Sequence, residues 1–261
     1  MENIKVKEDE LFKEWHQDII EKASGQIQKE YKKDAFVDNL YEFIKDGVIK
    51  EAEWNAAPLK IIFVLKEANN SKNEHNKWWM DFKFFLNRED GAGRNEKETT
   101  FTNISRWAYG ILNLDEELSW NEIHKKGLDS NERKKILQKV CVVNLSKQPG
   151  GARTKFSNLK DKFERYNKEY LEKQLALYAD ADIIICCGDG VGSLFKSVVT
   201  KNNFGKYKPV GKVDGIWHNT LENGQLMISY YHPAASAKGM TQEKLFKTLL
   251  EVVKTNYKKK S

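Results

Sequence analysis

Four short, continuously apolar segments stand out along the chain, and the segments between them carry apolar residues every three or four positions. Short apolar runs are typical of strands that are buried on both faces of a sheet. We predict strands at residues 59–65, 140–145, 182–187 and 226–231. Because helical patterns alternate with these strands, the sequence predicts an α/β fold. We expect three layers, α/β/α, around a central, mostly parallel four-stranded sheet.

The intervening apolar periodicity predicts helices before, between and after the strands. The predicted helices cover residues 9–24, 33–46, 101–113, 130–139, 159–179, a segment from about 191, and 241–257. Residues 209–223 have the pattern of a hairpin, and residues 71–98 that of a long loop with some helix. We therefore divide the chain into an N-terminal helical extension, residues 1–58, packed on the core, and an α/β domain, residues 59–261.

Composition narrows the class of protein only slightly. With 261 residues, 40% of them hydrophobic, the chain can bury the core of one α/β domain with additions. The net charge of +6 permits a polyanionic partner, but it is equally compatible with an ordinary solvated surface.

The cysteines and the lengths of the apolar runs indicate the cellular compartment of the protein. The three cysteines lie in apolar runs without a C-x-x-C pair, as buried thiols in a reducing compartment do. The N-terminal segment lacks the apolar centre of a signal peptide, and no apolar stretch approaches about 18 residues. We expect a cytoplasmic protein with no membrane contact.

Polar groups follow each predicted strand at the point where it ends. Glu67 follows the first strand, Asn144 lies near the end of the second and Lys147 follows it, a glycine turn at 188–192 follows the third, and His232 follows the fourth. Ligands of such sheets bind beyond the carboxyl ends of the strands, so we expect these groups to converge on one crevice.

Each of these groups also has an ordinary structural interpretation. Glu67 fits a surface position, Asn144 a bond to loop backbone, and His232 a structural histidine. The sequence GDGVGS at 188–193 resembles a loose dinucleotide fingerprint, but it does not follow the first strand, and no acidic residue lies at the expected distance. The four strand ends together favour a site.

Three sequence blocks, in order, resemble motifs of the uracil-DNA glycosylase superfamily. They are KIIFVLKEANN (60–70), VVNLSKQPGGAR (142–153) and SYYHPAASA (229–237), and residues 170–195 resemble the helix, strand, glycine turn and helix of its iron–sulfur branch. The likeness covers roughly residues 59–255.

The resemblance implies a role for each matching position. Glu67 and His232 stand at catalytic positions, where a carboxylate acts on water or on the sugar and an imidazole donates to an oxygen of the base. Positions implied to bind the flipped base are Asn144 and Asn70, with Trp78, Trp79 or Phe82 as the aromatic residue that stacks on it. Positions implied to bind nucleic acid are Lys147, Arg153, Gly188, Gly190, Ser236 and Lys238.

The chain also departs from the family pattern. Asn69 replaces a proline, and Asn70 stands where the residue helps to decide whether a 5-methyl group fits. Gln148 replaces a cluster cysteine, so we expect no iron–sulfur cluster, no other cofactor and no metal. The apolar wedge expected after Pro233 is missing, with Met240 or an aromatic residue of 78–85 as the alternative.

The resulting expectation is a monofunctional DNA glycosylase, a hydrolase of base-excision DNA repair that acts on uracil or another altered base. We expect a monomer whose partner is single- or double-stranded DNA. One alternative is a catalytically inactive member of the superfamily that binds nucleic acid or a nucleotide. Another is a protein that hydrolyses or senses a small nucleoside or nucleotide.

Overall fold

The computed structural model describes residues 3–30, 42–68, 99–150, 155–199, 211–213, 215–235 and 240–258. Within these ranges one sheet of seven strands runs through the molecule. Its strands are β1 Gly47–Val48, β2 Ile61–Leu65, β3 Cys141–Asn144, β4 Ile183–Cys187, β5 Gly211–Val213, β6 Ile216–Thr220 and β7 Leu226–Tyr230.

The strand order across the sheet is β1-β3-β2-β4-β7-β6-β5. The central strands β3, β2, β4 and β7 are mutually parallel, and they are the four predicted from apolar continuity. β1 pairs antiparallel with β3 at one edge, and β6 and β5 continue antiparallel at the other. The predicted α/β class is confirmed, but the four-stranded count is wrong, because short antiparallel strands extend both edges.

Nine α-helices connect and cover the strands within the described ranges. They are α1 Ile4–Glu30, α2 Glu51–Ala56, α3 Thr99–Leu112, α4 Trp120–Leu128, α5 Ser130–Leu137, α6 Phe156–Lys162, α7 Lys168–Ala176, α8 Val191–Val199 and α9 Gln242–Asn256. A π-helical segment, Phe163–Asn167, joins α6 to α7. The helix predicted at 159–179 is therefore interrupted.

Apolar side chains on the two faces of the sheet belong to two separate cores. Ile62 and Val64 of β2 pack with α1, α6, α7 and α8, whereas Ile61, Phe63 and Leu65 pack with α3, α4, α5 and α9. This alternation follows from the two-residue period of a strand. Helices consequently lie on both faces of the sheet.

The N-terminal region differs from the prediction in its second half. Residues 42–46 are not helical, although they were predicted to end the helix at 33–46, and residues 31–41 lie outside the described ranges. α1 packs on the core through buried apolar side chains, including Trp15 and Ile19. None of the helices in the described part of the chain is both long and apolar enough to cross a membrane.

Candidate active site

Strand register brings the predicted polar groups to one edge of the sheet. Leu65 pairs with Asn144 across β2 and β3, and the amide of Ser146 then donates to the carbonyl of Lys66 at 3.0 Å. On the other side of β2, the amide of Gly188 donates to the carbonyl of Tyr230 at 2.8 Å. Glu67, Asn144, Gly188 and His232 therefore all lie at the carboxyl ends of the four parallel strands.

The carboxylate of Glu67 is buried and paired with Lys162. Its Oε2 lies 3.2 Å from Nζ of Lys162, and only 3% of the Glu67 side chain is exposed. Lys162 also donates to the carbonyl of Pro149 at 3.0 Å, so its ammonium bridges the loop after β3 and the end of β2. Glu67 is therefore fixed in one orientation.

Gly150 completes the packing around Glu67. Its amide donates to the carbonyl of Ala68 at 2.8 Å, and a Cβ at this position would overlap the Glu67 carboxylate. Only glycine leaves room for that carboxylate where it lies.

His232 is half-buried, and its hydrogen bonding defines the tautomer of the neutral ring. Its Nδ1 accepts the amide proton of Ala234 at 3.1 Å, so the neutral imidazole carries its own proton on Nε2. Burial lowers the pKa of His232 below its usual value of 6.5, and the neighbouring charge of Lys66 lowers it further. At neutral pH the ring is thus an uncharged hydrogen-bond donor through Nε2.

The glycine turn after β4 lies directly against this histidine. Gly188 has φ +110°, and a Cβ there would sit 3.7 Å from Cβ of His232 and 3.3 Å from Cε of Lys66. Gly190 has φ +77° and lies against the ring of Phe156, which is 40% exposed. The turn brings a cation, an imidazole and an exposed aromatic ring to the same edge of the sheet.

Asn144 is fully buried at the end of β3. Its backbone amide and its Nδ2 both donate to Oδ2 of Asp46, at 2.7 and 3.1 Å. Its Oδ1 is buried and accepts no hydrogen bond from the residues that the structure describes. A buried carbonyl oxygen in this state is a ready acceptor for an N–H group.

Lys147 does not have the surface position that the phosphate role requires. Its side chain is completely buried, and Nζ lies 2.6 Å from Oδ1 and 2.7 Å from Oδ2 of Asp46. Burial lowers the pKa of Lys147, and Asp46 opposes that shift. The implied phosphate contact of Lys147 is therefore corrected: the ammonium forms an internal ion pair.

Other predicted site residues cannot be placed. Asn69, Asn70, Trp78, Trp79, Phe82, Arg153, Ser236 and Lys238 lie outside the described residues. Met240, the alternative to the missing wedge, is partly buried against the core. The structure thus places Glu67, Asn144, Gly188, Gly190 and His232 at one edge of the sheet, where Gly188 lies directly against His232.

Sequence reasoning missed Lys66, Lys162, Asp46 and Phe156. Lys66 precedes Glu67 directly and could have been found, because the first residue after a strand lies at the same edge as the second. Lys162 lies 95 positions from its partner Glu67 in the sequence, and Asp46 lies 98 positions from its partner Asn144. No local sequence pattern indicates contacts over such separations.

Comparisons with known proteins do not assign the chain to a family. No family model, curated protein or solved structure matches the chain. Within the described ranges, no group of three or more His, Cys, Asp or Glu side chains is arranged to hold a metal ion.

Proposed function

We propose that the protein is a DNA glycosylase that hydrolyses the N-glycosidic bond of uracil or another altered base. The observation that carries the proposal is the arrangement of a buried, oriented carboxylate, Glu67, and a neutral imidazole donor, His232, on strand ends of one sheet edge. The sequence resemblance to the uracil-DNA glycosylase superfamily supports the same reading.

The chemistry of base release calls for these two groups. As the bond between C1′ and the base nitrogen breaks, its electron pair leaves with the base and positive charge develops on the sugar. A carboxylate near the sugar stabilises that charge and orients the water whose oxygen bonds to C1′. A neutral donor such as Nε2–H of His232 stabilises the negative charge on an oxygen of the departing base. The proton released by the water balances the charge of the free base.

Two neighbouring groups fit the same reaction. The positive charge of Lys66, beside the glycine turn and His232, favours a departing anion electrostatically. Oδ1 of Asn144, which accepts no hydrogen bond from the described residues, has the acceptor chemistry that an imide N–H such as that of uracil requires, although Asn144 is fully buried. A base inside a duplex cannot reach these groups, so the substrate base must be flipped out or already unpaired.

The test is release of free base from oligonucleotides that each contain one altered base, uracil first. We expect activity from the wild-type protein without added metal. We expect a loss of about 100- to 1000-fold on His232→Ala, the range found for removal of one oxyanion donor. Glu67→Gln keeps the size of the side chain and removes its charge, and it should also reduce the rate strongly. Equal background release by wild-type protein and both variants across single- and double-stranded oligonucleotides would refute the proposal.

A second candidate, a catalytically inactive nucleic-acid-binding member of the superfamily, is favoured by one observation. The Glu67 carboxylate is already paired with Lys162 and almost completely buried. This candidate predicts salt-dependent DNA binding without base release, unchanged by Glu67→Gln. Measurement of binding and release on the same oligonucleotides separates the two candidates.

A further inference from the structure

The turn that follows β7 holds His232 by its own hydrogen bonds. The amide of Ala235 donates to the carbonyl of His232 at 2.8 Å, and the amide of Ala234 donates to Nδ1 of the ring at 3.1 Å. The orientation of the imidazole is thus tied to the backbone of residues 232–235. Whatever fixes this turn also fixes the direction of Nε2–H.

A buried asparagine on α3 anchors the turn to the body of the protein. Nδ2 of Asn103 donates to the carbonyl of Pro233 at 2.7 Å, and Asn103 is only 1% exposed. A second, longer bond runs from Nε2 of Gln242 to the carbonyl of Ala235 at 3.3 Å. The short, buried bond from Asn103 acts on the residue next to His232.

An arginine one helical turn further along α3 fixes the orientation of the Asn103 amide. Nη1 of Arg106 donates to Oδ1 of Asn103 at 2.8 Å, and its Nη2 donates to the carbonyl of His124 at 3.4 Å. The guanidinium also lies 5.7 Å from the ring centre of Trp120. Because Oδ1 of Asn103 accepts from a cation, the NH2 group must face Pro233. An inverted amide would place two donors against each other.

We propose that Asn103 is a positioning residue for His232, with Arg106 fixing the direction of its amide. The inference deepens the proposed function, and only its catalytic consequence rests on that function. Asn103 does not touch the base. It acts by holding the Pro233 carbonyl, and through it the turn that orients Nε2–H of His232.

The decisive substitution is Asn103→Asp, because it separates the two bonds of the side chain. A carboxylate keeps an acceptor for Arg106 but has no donor for the carbonyl of Pro233. The variant therefore keeps the bond to Arg106 within α3, while the turn loses its anchor. Asn103→Leu removes both bonds without adding charge, so an effect common to both variants cannot come from the new carboxylate.

The measurement is the pH titration and tautomer of His232, followed by NMR of the protein with isotope-labelled histidine. The chain has five histidines, and the signal that disappears in His232→Gln assigns the ring. We expect the pKa of His232 to rise towards 6.5 in both Asn103 variants as the released ring becomes hydrated. We also expect its single tautomer to become a mixture as the bond from Ala234 weakens.

Asn113→Asp is the matched control. Nδ2 of Asn113 donates to the carbonyl of Tyr109 at 2.7 Å at the end of the same helix, with no bond to the turn. This variant should leave the titration of His232 unchanged. An unchanged His232 pKa and tautomer in folded Asn103→Asp and Asn103→Leu would overturn the inference.

Kinetics provide a separate readout. On an oligonucleotide that the wild-type protein cleaves, Asn103→Asp should lower kcat by about 10- to 100-fold, as a small displacement of a catalytic group does, with little change in KM. If the wild-type protein releases no base, the proposed function fails, and the NMR titration still decides whether Asn103 positions His232.

Discussion

The charge state of His232 is the most consequential property at the scale of single residues. Burial is the first cause of its lowered pKa, and the charge of Lys66 is the second. The donor on Nε2 is therefore uncharged at neutral pH, and the local positive charge of the site comes from Lys66 instead. The site thus has a cation, Lys66, next to an uncharged hydrogen-bond donor, His232.

Lys66→Met should raise the pKa of His232, because one of the two causes of its depression is removed. The pKa should remain below 6.5, since burial persists. The measurement is the NMR titration of the His232 ring. Lys60→Met, at the opposite end of the same strand, is the control and should have no effect. A pKa that does not respond to Lys66→Met would show that burial alone sets it.

The lowered pKa of His232 also predicts how the free energy of unfolding depends on pH. The unfolded chain takes up a proton on His232 near pH 6.5, whereas the folded protein does so only at lower pH. The contribution of His232 to the free energy of unfolding is therefore complete above about pH 6.5 and is lost as the pH falls through the folded-state pKa.

Sequence reasoning identified the residues that stand next to recognisable patterns and misjudged those whose role depends on distant partners. Glu67, Asn144 and His232 were correctly placed at one edge of the sheet because each stands at the end of a continuous apolar run. Lys147 was predicted to contact phosphate because it lies beside a Pro/Gly turn, in a block that resembles a family motif. Its burial could not be foreseen, because its counterion, Asp46, lies 101 residues earlier in the chain.

At the scale of elements, the π-helical segment between α6 and α7 organises the loop after β3. Asn167 ends the segment, and its Oδ1 accepts the amide of Lys147 at 2.9 Å. Its Nδ2 donates to Oε1 of Gln148 at 2.9 Å and to the carbonyl of Lys162 at 2.8 Å. The segment therefore binds the loop through Asn167 and presents Lys162 to Glu67. π-Helical segments are frequent at functional sites.

Asn167→Ala should destabilise the protein by roughly 2–3 kcal/mol, because it leaves buried donors and acceptors of the loop unpaired. The measurement is the free energy of unfolding from urea titration. The control is Asn256→Ala, which removes one bond to the carbonyl of Val252 near the end of α9 and should cost less than about 1 kcal/mol. Similar losses in the two variants would contradict the role given to the π-helical segment.

The helices and strands, like the site residues, could be predicted only where a local sequence pattern indicates them. The four parallel strands could be predicted because a strand buried on both faces is apolar throughout. β1 could not, because its two residues, Gly47 and Val48, form no run. The π-helical segment could not be predicted either, because the bonds that Asn167 makes to Lys147 and Gln148 are not visible in a local sequence pattern.

At the scale of the whole molecule, a chain of buried polar groups joins the N-terminal region to the edge of the sheet. Glu8 of α1 accepts from the hydroxyl of Tyr178, and burial, with the charge of Glu8, raises the pKa of that hydroxyl well above its usual value. Gln174 donates to Tyr178 and, at 3.0 Å, to Asp46, which pairs with Lys147. Residues before the first predicted strand thus help to hold the loop that packs on Glu67.

Asp46→Asn and Lys147→Met should each destabilise the protein by about 3–5 kcal/mol, because each leaves a buried charge without its partner. The double variant should lose clearly less than the sum, since no unpaired ion of this pair remains. Urea unfolding of the four proteins measures the coupling. Additive losses would show that the two charges are stabilised independently of each other.

The bond between Tyr178 and Glu8 also has a consequence for the order of events during synthesis. The two residues are 170 positions apart. At 5–20 residues per second, the ribosome therefore adds Tyr178 roughly 9–34 s after it has added Glu8. Throughout that interval Phe12 and Trp15 lack most of the core that later buries them. The sheet edge with the candidate site is completed later still, once β7 and His232 have been made. Apolar side chains of α1 that stay exposed in the meantime make the nascent chain prone to aggregation.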